Sequence, residues 1–114
     1  WDALDNGSAM ITGVAVARRA FVEEHPEETE RFLLDYAESA AWTGGHTAEA
    51  AALIGEYGIV EAAVAEKALP YCNIVCLTGQ EMADKLSGYL EVLYDADPAS
   101  VGGALPDGDF CYGA

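Results

Sequence analysis

The sequence predicts a helix-rich α/β chain in which one buried strand precedes about four helices. Residues 9–17 (Ala-Met-Ile-Thr-Gly-Val-Ala-Val-Ala) are apolar on both faces and rich in β-branched side chains, as in a strand enclosed within a sheet. Further along, apolar residues recur at three- and four-residue spacing in four stretches, each bounded by capping or breaking residues. The chain has 114 residues, 52% of them apolar, which suits one domain with a real core and not a disordered tail.

Residues 1–8 are polar, and Asp5-Asn6-Gly7 is a turn signal. The strand over 9–17 ends at Arg18 and Arg19, and a helical turn through Phe21 and Val22 follows. Pro26 then suits the first position of a helix over about 26–43, because its missing N–H costs nothing there. Glu27, Glu28 and Glu30 complement the positive end of the helix dipole. Phe32, Leu33, Tyr36, Ala37, Ala40 and Ala41 form its apolar face, and Gly44-Gly45 is its stop. Seven carboxylates lie between Glu23 and Glu38, mostly opposite that stripe, and read as a solvated face.

Thr47 caps a helix over about 48–57, which buries Ala50, Leu53, Ile54 and Tyr57 and stops at Gly58. Residues 61–69 form an alanine-rich helix suited to close packing and ended by Pro70. Asn73–Leu77 is a short extended piece. Thr78-Gly79-Gln80-Glu81 has the capping-box pattern and opens a helix over about 79–95 with Met82, Leu86, Tyr89, Leu90 and Leu93 on one face. Asp97-Pro98 ends it. A turn-rich tail, 98–114, closes on Phe110 and Tyr112, whose spacing suggests docking.

Charge excludes whole classes of partner. Five Lys and Arg stand against 20 Asp and Glu, a formal net charge of -15. That field repels phosphate backbones and anionic membrane surfaces, so no nucleic acid is expected. No apolar run approaches the roughly 20 residues that span a bilayer. The opening Trp1 suggests a piece of a longer chain.

Chemistry is sparse. His25 and His46 each sit at a helix start. Three Cys and two His offer neither Cys-x-x-Cys nor His-x-x-x-His, and Asp95-Ala96-Asp97 is spoiled as a calcium loop by Pro98. Ser87 lacks a nucleophile-elbow context. No catalytic residue, metal site or cofactor is expected. If extended, Cys72 and Cys76 are about 13 Å apart, beyond the ~7 Å reach of a bridge. A bond from either to Cys111 stays open, and free buried thiols are the preferred reading.

Four phrases in order resemble the C-terminal part of ABC-transporter substrate-binding proteins of the nitrate, sulfonate, taurine and thiamine-precursor class. They are Gly13–Val16 leading into Arg19–Glu27; Phe32–Ser39 with Trp42, Thr47 and Glu49–Ala51; Ala65–Val75 with Thr78-Gly79; and Pro98–Gly103 with Leu105-Pro106 and Phe110–Tyr112. The resemblance spans almost the whole chain. His25 replaces a commoner Asn, and Cys111 a commoner aromatic. It implies a bilobal type II periplasmic-binding-protein-like fold, of which this chain completes lobe 1. It implies capture of a small ligand, anionic or heterocyclic, between two lobes and delivery to an ABC permease. Trp1, Asn6, Ser8 and Thr12 are then the ligand candidates near the crossover, with turn and strand roles as the competing reading. An extracytoplasmic location, periplasmic or as a cell-surface lipoprotein, follows from the same resemblance.

Two other readings compete. One is a thiamine-pyrimidine-synthase-like enzyme of the same fold, for which the sequence lacks a His- and Cys-rich cluster. The other is a stand-alone acidic helical interaction module, which needs no strand. If 9–17 is a strand, its unpaired backbone groups cost roughly 1–3 kcal/mol each when buried. Self-association through that strand is therefore expected.

Overall fold

The computed structural model describes residues 1–114. Helices make up 62% of the chain and no residue is in a strand. Contacts divide it into two units, one of Ala17–Cys76 and one of Trp1–Val16 with Leu77–Ala114.

Helix α1 (Arg19–Glu24) opens the first unit, and α2 (Pro26–Gly45) follows after a one-residue break at His25. Pro26 occupies the first turn of α2 with Glu27 and Glu28, where the exposed N–H groups favour negative charge. The Thr29 hydroxyl donates to the His25 carbonyl at 2.8 Å, and the Arg31 guanidinium reaches both Asp35 oxygens one turn on. The helix runs through Gly44 and Gly45, and the turn comes at His46.

His46 leads directly into α3 (Thr47–Glu56), so Thr47 is the first helical residue, and no side chain caps this end. Gly58 stops α3 in the left-handed conformation (φ 68°) that glycine adopts without a Cβ penalty. The Ile59 N–H bonds the Ile54 carbonyl and the Gly58 N–H the Gly55 carbonyl, closing a Schellman motif. The chain then reverses into α4 (Ala62–Ala68), which packs along α3.

The core lies in that α3–α4 hairpin. Ala50, Ala51 and Ala65 are the buried hydrophobic residues of the chain. Small side chains let the backbones approach closely. A Cβ placed on Gly55 would lie 2.9 Å from the Ala62 Cβ. Leu53, Tyr57, Ile59, Val60 and Val64 are exposed.

After α4 a 3-10 turn (Leu69–Tyr71) absorbs Pro70, and Asn73 takes a left-handed φ of 50°, which its short polar side chain tolerates. Asn73–Leu77 is irregular, and the bend falls one residue before it, at Cys72.

Helix α5 (Gly79–Ala96) dominates the second unit. Thr78 is its N-cap residue but makes no side-chain cap, so the expected capping box is not formed. Beyond α5, Asp97 accepts from the Ala99 N–H and starts a 3-10 turn (Pro98–Val101). The Ser100 hydroxyl returns to the Leu93 carbonyl at 3.1 Å. In the tail Phe110 and Tyr112 are exposed, while the Gly113 backbone passes close to Gly79.

Residues 9–17 correct the sequence reading most. They are irregular and largely exposed, Val16 at 88%, and no ladder pairs them. A β-branched, two-sided apolar run becomes a strand only when neighbouring strands accept its backbone groups, and this chain supplies none. The α/β class, the completed lobe 1 and the bilobal binding-protein fold are therefore overturned. So is self-association through a 9–17 strand, since that strand does not exist.

The packing of the hairpin gives a paired expectation. Gly55→Val should destabilise unit Ala17–Cys76 by about 1–3 kcal/mol, because the Ala62 Cβ and backbone opposite cannot swing aside. Gly44→Ala meets open space and should stabilise α2 by up to about 1 kcal/mol. Urea titrations of both variants check the two signs, and equal effects would refute the close approach.

Candidate functional site

Three of the four ligand candidates come together. The Trp1 indole N–H donates to Ser8 Oγ at 2.9 Å, and the Ser8 hydroxyl donates to Asn6 Oδ1 at 2.5 Å. Asn6 Oδ1 also accepts from the Ser8 backbone N–H at 3.1 Å. The Trp1 ring lies 5.2 Å from Tyr89 on α5, and a Cβ on Gly88 would fall 2.7 Å from the Ser8 Cβ. The hydrogen bonds hold the N-terminal turn together, and the Trp1 ring and the Ser8 Cβ bring it against α5. Thr12 is exposed on the irregular segment, outside this network. In this arrangement Trp1, Asn6 and Ser8 bond one another, and Trp1 and Ser8 lie against α5.

Titratable groups do not converge. No group of three or more His, Cys, Asp or Glu is arranged to hold a metal ion. All three cysteines are free; Cys72 is exposed and its thiol donates to the Ala68 carbonyl at 3.3 Å, while Cys76 and Cys111 are half-buried. The expectation of buried thiols thus fails at Cys72, which lies at the open end of α4.

The two histidines repeat one arrangement. His25 and His46 share nearly the same backbone conformation (φ -131°, ψ 57° and φ -134°, ψ 52°) at the two junctions flanking α2. Each ring packs on an aromatic four residues earlier: His25 on Phe21 at 4.8 Å, His46 on Trp42 at 4.7 Å and nearly parallel. His46 Nδ1 lies 2.9 Å from the Trp42 carbonyl, which can only accept, so Nδ1 carries the proton. Each ring thus lies against the helical turn before its junction, a contact invisible in a reading that placed each His merely at a helix start.

What the geometry presents most openly is surface. On α2, Phe32 and Tyr36 are one turn apart, their rings 5.6 Å from centre to centre and each half exposed. Glu28, Asp35 and Trp42 recur at seven-residue spacing and so share a line along the helix beside that pair. Asp35, Glu38, Ser39 and Trp42 line a shallow hollow. A second depression, of about 190 Å³, lies between the end of α2 and the turn after α4, bounded by Thr43, Thr47, Pro70 and Asn73. Its lining has no charge and no nucleophile–base pair.

If the clasp is structural, Gly88→Ala should release the N-terminal turn by forcing Ser8 away. In a Trp42→Phe background the remaining Trp1 emission should shift to the red, and Ser8→Ala should do the same more weakly, costing about 0.5–1.5 kcal/mol. Unchanged emission in both would show that Trp1 is not held against Tyr89.

The resemblance to substrate-binding proteins rests on phrases that mark helix ends, such as Pro26 with Glu27, Thr47 and Pro98. Pro26 in a first turn and Pro98 after a helix end serve a local need common to many helices, and here they do so without a sheet, while Thr47 makes no cap at all. No family model, curated protein or solved structure matches the chain.

Proposed function

We propose that this chain is a non-enzymatic, acidic helical interaction module whose apolar helix faces are completed by a protein partner. The observation that supports it is surface area. Two separately folded units of about half the chain's 12.0 kDa each would expose roughly 7,200 Å² together. The chain exposes 8505 Å², an excess of about 1,300 Å². That excess is what one partner contributes to an interface of the obligate class, which buries about 2,000–5,000 Å² in total. Leu34, Tyr57, Ile59 and Tyr71 are among the large apolar side chains it leaves exposed.

A ligand clamp is not supported, since no pair of sheet-based lobes exists to close on a small molecule. Delivery to a permease loses its basis with it.

Purified chain should bind the dye ANS and show weak protection from amide hydrogen exchange outside α3 and α4. Its dye binding should fall when it enters a stoichiometric protein complex. A dye-negative monomer with one sharp, cooperative unfolding transition would refute the reading.

A further inference from the structure

We propose that the N-terminal turn is a self-modification site, in which Asn6 closes on the Gly7 backbone nitrogen to a succinimide. The ring then opens to aspartate or isoaspartate and frees the turn from α5. The inference stands apart from the interaction-module reading, since it needs no partner protein.

Sequence brings the reacting pair together. The Asn6 side-chain carbonyl carbon, Cγ, and the Gly7 nitrogen can join in a five-membered ring, an intramolecular closure. The side chain of the residue that carries the nitrogen is the usual obstacle, and Gly7 has none. Its φ of 73° is left-handed, and a Cβ built there would meet nothing within 4 Å. Both residues are exposed in a bend, and no hydrogen bond occupies the Gly7 N–H. The other asparagine of the chain, Asn73, precedes Ile74, whose β-branched side chain crowds the same approach.

The folded turn activates the carbonyl. Asn6 Oδ1 accepts from the Ser8 N–H at 3.1 Å and from the Ser8 hydroxyl. Attack on Cγ drives an electron pair onto Oδ1, and both donors are already aimed at that atom, where they stabilise the charge as it develops. The Trp1 indole N–H donates to Ser8 Oγ at 2.9 Å and so strengthens the hydroxyl as a donor. These bonds also fix the side-chain amide before it reacts, which removes part of the orientational cost. The Asn6 amide nitrogen, which leaves, is held by no hydrogen bond.

The atoms balance with water alone. Hydroxide takes the Gly7 N–H proton, the nitrogen bonds to Cγ, and the bond from Cγ to Nδ2 breaks. Nδ2 takes a proton from water and departs as ammonia. Water then adds to one of the two ring carbonyls. Opening at Cγ leaves an aspartate with the backbone unaltered. Opening at the main-chain carbonyl leaves isoaspartate, whose backbone runs through the former side chain and is longer by one carbon. Either product adds a carboxylate to a turn that already holds Asp2 and Asp5. Isoaspartate also removes the acceptor used by both Ser8 donors, so Ser8 and Trp1 lose the geometry that sets them against Gly88 and Tyr89.

The test incubates the purified full chain at neutral and mildly alkaline pH, with mass spectrometry of its peptides at intervals. Fragmentation separates aspartate from isoaspartate. Asn6 should convert about two- to tenfold faster than in a free Trp1–Thr12 peptide, the worth of one ordered hydrogen bond. The rate should rise with hydroxide, and Asn73 should stay an amide. Ser8→Ala should slow conversion by about the same two- to tenfold, and Asn6→Gln should abolish it. In a Trp42→Phe background, Trp1 emission should move to the red as isoaspartate accumulates. A rate equal to or below that of the free peptide would show that the turn protects Asn6 and would overturn the proposal. An unchanged or faster rate in Ser8→Ala would do the same, as would conversion that leaves Trp1 emission unmoved.

Discussion

Alanine packed on alanine across the α3–α4 seam is the contact on which the rest of the structure depends. Ala50 and Ala51 on α3 and Ala65 on α4 are buried in this hairpin, and Gly55 leaves room for Ala62. Close approach gives dense packing, but a methyl group brings little area to bury. A fully buried leucine or phenylalanine contributes about 1.5–3 kcal/mol, and an alanine much less. A chain whose core is made of alanines therefore holds its helices more by local rules than by burial. That explains how a sequence that is 52% apolar leaves most of its large side chains facing outward.

Local rules do account for much of the rest. The Schellman motif at Gly58, the Asp97 cap with Pro98 and the paired His junctions around α2 each act within a few residues. They define where helices start, stop and turn. They do not supply a large apolar interior, and many large apolar side chains stay exposed on the helices. The carboxylates of α2 lie mostly on the side away from its apolar stripe, where their field repels like charge and attracts cations.

The clasp at the N-terminus shows the same economy in the other unit. Trp1, Asn6 and Ser8 have the donors and acceptors a ligand site needs, yet they spend them on one another. A site and a clasp draw on the same residue types. Only the distances separate them, because a ligand site must leave polar atoms pointing at a space.

The sequence by itself determined the helices, since proline at a first turn, glycine past a last one and apolar spacing of three and four act through neighbouring backbone. Pro26 for α2, Gly58 for α3 and Asp97-Pro98 for α5 were legible in that way. It could not determine the fate of residues 9–17. Their composition is that of a buried strand, but strand formation depends on partners far along the chain or outside it, and these residues have none. Tertiary structure alone decided that the segment stays irregular, that Trp1 rests on Tyr89, and that Phe32 and Tyr36 face solvent where periodicity had placed them in a core. Periodicity states which side chains share a face, whereas burial depends on whether another element arrives to cover it.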